Sequence, residues 1–378
     1  MKKVLFVATV DSHIRHFHIP YLKYFKENGY EVHVATANDE NEIFQYCDKK
    51  HAITFERSPL KINNLKAIKQ LKELLEKEKF ELVHCHTPMG GVVTRIAAKK
   101  IRKNGLKVFY TAHGFHFYKG APIANWLIYY PVEKWLSRYT DVLITINKED
   151  YEYTKKFKAK KSYMIDGIGV DDKRFNIEIS EDEKDALRKE LSDDKFKISK
   201  DDIVLTYVAE MIPRKNQELL INAMKDIVEQ NNKIKLLLVG TGVLLEKYGE
   251  LIKEFQLEHN VKLTGYRKDV PRIFRITDIG VSTSKQEGLG LNLIESLLSE
   301  VPVIASRVRG HNEIIVEEQN GYMFESNNKE ELKDRILMLA QNEELRDKMK
   351  LNAIASVKRF VLENSLKENI EIYKENNV

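Results

Sequence analysis

The sequence predicts an α/β protein built from two doubly wound domains, each with a mostly parallel sheet. Three observations predict it. Short β-branched runs alternate with helical stretches along nearly the whole chain. The alternation lapses over the charged, polar stretch 173–199 and restarts at Ile203, which reads as a crossover between domains. The chain has 378 residues, 43% hydrophobic and 31% charged, enough for two ordinary globular cores.

In the first half, strands are expected at Val4–Val10, Glu31–Thr36, Phe80–His86, Lys107–His113 and Asp141–Ile146. Helices are expected at Ile19–Lys26, Leu65–Lys79 and Gly90–Lys103. Met1–Val10 has a charge like that of a secretory signal, but Asp11 and His13 cut its apolar run short, so it reads as the first strand. No apolar run reaches the ~18 residues a spanning helix needs. Cys47 and Cys85 offer neither a disulfide framework nor metal spacing, which fits a reducing cytoplasm. The net charge of +5 is uneven: residues 1–170 carry 29 Lys and Arg against 18 Asp and Glu, the remainder 33 against 39. A basic first half is expected to meet an anionic surface or to be solvated lysine-rich helix.

Ligands of such sheets bind beyond the C-terminal ends of the strands. That rule selects the loops Asp11-Ser12-His13, His84–Pro88 and His113–His116, and five of the eleven histidines (His13, His84, His86, His113 and His116) fall in or beside them. No acid or thiol completes a zinc set at metal spacing, so neutral imidazoles donating to sugar hydroxyls or phosphate oxygens are the preferred reading. His84 reads equally as a core histidine. Phe115–Tyr139 mixes eight aromatics with Lys119, Lys134 and Arg138. That pattern suits a membrane interface or a helix buried between layers. The helical spacing of Leu127, Ile128 and Leu136 favours burial.

In the second half, strands are expected at Ile203–Ala209, Lys235–Val239, Val261–Thr264, Ile279–Thr283 and Pro302–Ser306, each leading into a loop and most into a helix. Gly240-Thr241-Gly242 is only half a dinucleotide fingerprint, and no phosphate-binding glycine–lysine–serine loop exists. The chemistry concentrates in Glu287–Glu295, where two carboxylates eight positions apart flank a glycine-rich strand-to-helix turn. Loop amides and a helix N-terminus there can hold a diphosphate. The acids suit the hydroxyls of a sugar nucleotide. Arg214-Lys215, at the end of another strand, can neutralise a diphosphate leaving group.

Together Glu287-x7-Glu295, His84-Cys85-His86-Thr87-Pro88, Thr111-Ala112-His113-Gly114, Gly167–Asp171, Lys215-Asn216 and Asn320-Gly321 give the whole chain a resemblance to a family. It resembles the GT-B glycosyltransferases of family 4, retaining and metal-independent users of nucleotide sugars. His113–Gly120 is most similar to bacterial capsule and exopolysaccharide enzymes. The resemblance implies two Rossmann-like domains facing across a cleft. It implies an acceptor-binding domain at 1–175, a crossover at 176–200, a nucleotide-sugar domain at 201–360 and an amphipathic helix at 361–378.

It also implies roles. Glu287 holds donor-sugar hydroxyls, and Gly288, Leu289 and Gly290 approach the diphosphate. Glu295 holds the ribose, Lys215 and Arg214 take the leaving charge, His113 reaches the donor sugar, and the backbone around Arg267 reads the base. His13, His86 and His116 are expected on the acceptor side. Glu210 stands where the family usually has arginine, and Arg214 is expected to compensate. The implied reaction moves a hexose or N-acetylhexosamine from a UDP-sugar to a lipid-linked glycan, without metal or other cofactor. It would run in the cytoplasm, on the inner leaflet of the plasma membrane, with no nucleic-acid partner. The rival expectations are a nucleotide-sugar epimerase and a non-catalytic sugar-nucleotide binder.

Overall fold

The computed structural model describes residues 1–37, 43–56, 58 and 61–378, which form two compact units. The first comprises Met1–Gly169 and Glu363–Val378, the second Val170–Leu362. The chain therefore passes between units at Gly169 and Val170. Residues 176–200 are no free crossover: helix Glu181–Leu191, closed by a capping box at Ser180, buries Leu187 and Leu191 and belongs to the second unit.

The first unit holds seven parallel strands: β1 Lys3–Val7, β2 Glu31–Thr36, β3 Lys49–Ala52, β4 Leu82–Cys85, β5 Lys107–Ala112, β6 Val142–Thr145 and β7 Lys161–Met164. Their order is β3-β2-β1-β4-β5-β6-β7. The central strands are apolar along their length because helices cover both faces. Sequence reading missed β3, whose residues Lys49-Lys50-His51-Ala52 carry no apolar run. It is held at the sheet edge by the pairing of His33–Thr36 with Lys49–Ala52. Lys50 and Thr36 also meet Asp11 at 2.7 and 2.5 Å. Asp11-Ser12-His13 is not a loop but the first turn of α1 (Asp11–Phe17), which is followed by α2 (Ile19–Glu27).

Helices α3 (Asn63–Glu78), α4 (Pro88–Ala98) and α5 (Ile123–Leu136) belong to the same unit. The expectation that α5 is buried does not hold. Leu136 and Glu133 are its buried residues, whereas Leu127 is 72% and Ile128 56% exposed, with Ile123, Val132 and Trp135 also open to solvent. Its inward side instead carries Trp126, Tyr129 and Tyr130, packed on the core of the first unit, and Glu133, which the buried Arg95 of α4 grips through two bonds of 2.8 and 3.1 Å. The C-terminal helix, Leu362–Glu375, is not a separate element. It buries Tyr373 against Phe25 and Phe109, ring centroids 4.9 and 5.7 Å away.

The second unit holds β8 Ile203–Val208, β9 Ile234–Val239, β10 Val261–Gly265, β11 Ile279–Ser282, β12 Val303–Ser306 and β13 Gly321–Phe324, in the order β10-β9-β8-β11-β12-β13, all parallel. Its core packs Leu205, Leu236, Leu238 and Ile304 against Leu220, Met224 and Ile336. Strand direction of winding reverses between β1 and β4 in one unit and between β8 and β11 in the other. Those two switch points open the crevices where open α/β sheets take ligands.

Candidate active site

In the second unit the loop after β8 and the loop after β11 meet at the switch point, and the chain ties them together. Tyr207 Oη donates to the carbonyl of Lys215 at 2.7 Å. Thr283 Oγ1 donates to the carbonyl of Asn216 at 2.7 Å, and the Lys285 amide to that of Arg214 at 2.9 Å. Asn216 takes a left-handed backbone (φ 54°) as helix Gln217–Gln230 begins. These ties bring Lys215 Nζ to 2.5 Å from one Glu287 oxygen and Arg214 Nη1 to 3.1 Å from the other. Burial pushes the Glu287 carboxyl up, but Lys215, Arg214 and His311 outweigh it and hold the group below the usual carboxylate range.

The loop after β12 completes this rim. Arg309 Nε donates to the Glu287 carbonyl at 3.2 Å. Gly310 lies so close to the next strand-end loop that a Cβ there would stand 2.8 Å from the Gly288 carbonyl carbon and the Leu289 nitrogen. Sequence reading had placed Arg309 and His311 in a strand-end loop and given them no role; the glycine between them was the usable signal. Gly288, Leu289 and Gly290 then lead into helix Leu291–Leu298, whose N-terminal amides favour an anion. One turn on, the Glu295 carboxylate has no hydrogen-bond or ion-pair partner among the described residues, and burial raises it to about 7. Arg174 and Lys215 oppose that rise.

Three other sequence expectations find their places. Arg267 lies beyond β10, and its guanidinium is held by Asp269 at 2.7–2.8 Å and Glu190 at 2.6 Å, so only its backbone is left to read a base. Glu210 is exposed, and Arg214 supplies the cation on Glu287. Gly240 (φ 141°) serves loop contact rather than a dinucleotide: a Cβ there would fall 2.1 Å from the Ala209 carbonyl oxygen.

In the first unit, α1 and the strand-end loops at the switch point gather imidazoles. His86 Nδ1 lies 3.3 Å from His113 Nε2, and the His13 and His113 rings are 4.7 Å apart. His18, which sequence reading passed over, lies tilted against His86, ring centroids 3.8 Å apart. Burial drives His13 down to about 4 and His18, His86 and His113 well below the ordinary histidine value, helped by the neighbouring imidazoles. All four are therefore neutral near pH 7. Among the described residues, the buried Nε2 atoms of His13, His18 and His86 have no hydrogen-bond partner. Four neutral imidazoles with ligand atoms within 4.8 Å of one another suit, by donor type, a borderline divalent ion, as well as hydroxyl or phosphate oxygens. His84 stays out of the group as a core histidine, bonded to Tyr373 Oη at 2.7 Å and Thr111 Oγ1 at 2.8 Å. His116 stacks on Tyr129 at 4.6 Å, away from the cluster.

Comparison with known proteins bears on both units. The family description "Glycosyl transferase 4-like" matches residues 3–147, and "Glycosyl transferases group 1" matches residues 188–356. EpsD of Bacillus subtilis (strain 168), which carries a glycosyltransferase name, is 41% identical over 374 residues, 98% of this chain and 96% of its own. The UDP-Gal:alpha-D-GlcNAc-diphosphoundecaprenol alpha-1,3-galactosyltransferase of Escherichia coli is 31% identical over 70% of this chain and 68% of its own. Among solved structures, Anabaena Alr3699/HepE in complex with UDP-glucose superposes with a TM-score of 0.80 at 18% identity, covering 99% of this chain and all of that one.

Proposed function

Because this chain belongs to the group 1 glycosyltransferases, with the GT-B fold, we propose that it moves a hexose or N-acetylhexosamine from a UDP-sugar to a lipid-linked glycan, with retention, in exopolysaccharide or capsule assembly. The observation that carries the reading is the Arg214–Lys215–Glu287 cluster beside the N-terminus of helix Leu291–Leu298. Two cations and one acid leave one net positive charge to meet a diphosphate, and the helix amides add to it. Glu287 accepts donor-sugar hydroxyls, Glu295 the ribose hydroxyls, and neutral His113 donates to the sugar. His13 and His86 take the acceptor side, with His116 beyond them.

The anomeric carbon loses its bond to the diphosphate oxygen and gains one to the acceptor oxygen on the same face. The acceptor proton passes to the departing diphosphate, whose charge Arg214 and Lys215 stabilise. No metal takes part in this scheme. The basic first half docks the enzyme on the anionic inner leaflet, and no described helix is long and apolar enough to cross a membrane.

Incubation with a panel of radiolabelled UDP-sugars and a bacterial lipid extract tests the reading. Label in the lipid fraction, unchanged by EDTA, supports it. An isomerised sugar nucleotide without acceptor, or binding without turnover, overturns it. Loss on chelation that zinc restores would move the histidine cluster from the acceptor side to a metal.

A further inference from the structure

The first unit carries a groove that the sugar chemistry does not use. It is about 840 Å³ in volume, near the upper end of the ~300–1,000 Å³ typical of small-molecule sites. One wall is the start of α3, the other the outer side of α5, and α4 with Tyr110 makes the floor. Its lips are apolar side chains held in water: Ile62 and Leu65 on one side, Ile128 and Val132 on the other. Its inner end is different. There it reaches Thr9, Thr87, Gly114 and His116, beyond the C-terminal ends of β1, β4 and β5. Thr87 stands at φ 64° and ψ 150°, a backbone region that non-glycine residues rarely hold outside functional sites. Its hydroxyl meets that of Thr9 at 2.6 Å.

A groove polar where the chemistry lies and apolar along its exit fits an amphipathic ligand with its head inward and its tail leaving between α3 and α5. We infer that this groove holds the first isoprene units of a polyprenyl chain, the lipid stem of the acceptor. The inference rests on the proposed transfer to a lipid-linked glycan. Two features favour a single lipid stem. The groove is continuous with the loops assigned to the acceptor. Exposed Lys61 lines it and exposed Lys66 follows on the same helix, where they complement a lipid phosphate or an anionic leaflet. Isolated exposed leucines are ordinary, but a continuous apolar trough with cations along one lip marks an interaction site.

Geranylgeranyl phosphate, a soluble short stand-in, is the probe, and its binding to the full chain is read by displacement of a fluorescent prenyl analogue. Saturable binding is expected, weakened at least tenfold by Leu65→Asp and Ile128→Asp. Both sites are exposed, so the fold is expected to persist, and an unchanged melting transition of the first unit verifies it. Leu351→Asp, an equally exposed leucine of the second unit, is expected to change nothing. Equal binding by the groove variants, or displacement of the probe by phosphatidylcholine vesicles as effective as by geranylgeranyl phosphate, overturns the groove assignment. The two readings fail separately. Probe binding without sugar transfer sinks the proposed reaction and leaves the groove. Transfer to acceptors with a methyl-truncated lipid at unchanged KM sinks the groove and leaves the reaction.

Discussion

Glu287 is bound to the two cations proposed to meet the diphosphate, and this sets an unusual expectation for its removal. In Glu287→Ala, Arg214 and Lys215 lose their carboxylate partner and are released toward any anion. Turnover is expected to fall about 10²–10³-fold, as for loss of a transition-state contact. UDP affinity should hold or tighten, so a titration showing weaker UDP binding would contradict the assigned role. Glu295 gives a pH signature. Burial raises its carboxyl to about 7, and ribose hydroxyls donate better to the ionised form. Nucleotide binding should therefore pull the proton off. UDP affinity is expected to drop as pH falls from about 7 toward 5, with proton release near pH 6 measurable by calorimetry in buffers of different ionisation heat. Glu295→Gln should remove the part of that release not due to the phosphate itself. The same residues show what a sequence can disclose. Glu287, Lys215 and Glu295 were legible because strand ends and helix starts punctuate the chain around them. Arg309 and His18 were not, since each comes to its site only through contacts with residues far along the chain.

At the level of elements, alternation was enough to find most strands, because helices on both faces leave central strands apolar throughout. It failed where that cause is absent. β3, at one sheet edge, is held by pairing and the Lys50–Asp11 ion pair, and β13, Gly321-Tyr322-Met323-Phe324, is the edge strand of the other sheet. The orientation of α5 was misread because Leu127 and Ile128 were weighed above the stripe Trp126, Tyr129, Tyr130 and Glu133, which packs inward, with Glu133 on Arg95. Glu133→Ala leaves a buried guanidinium with no carboxylate, a loss of about 3–5 kcal/mol. Urea unfolding should show the transition of the first unit falling by that amount. A change below about 1 kcal/mol would mean that the aromatic packing of Trp126 and Tyr130 on Phe117 holds α5 instead.

For the molecule as a whole, the lapse in alternation falls inside the second unit, beyond the passage at Gly169–Val170, and the allegiance of the last helix was not readable. An amphipathic helix offers an apolar face without naming its partner. Here the partner is the first unit, where Tyr373 fills the space between Phe25 and Phe109 and bonds to His84. Deletion of residues 363–378 is expected to lower the melting temperature of the first unit and leave the transition of the second unchanged. Scanning calorimetry of the shortened chain checks this, and an equal loss in both units would refute it.

That return of the chain inverts the schedule of birth on the ribosome. All residues of the second unit emerge before the segment that finishes the first, so the unit encoded later is ready to close earlier. Until Tyr373 arrives, a nascent sheet must wait with an aromatic socket open, and it is there that a chaperone would find something to hold.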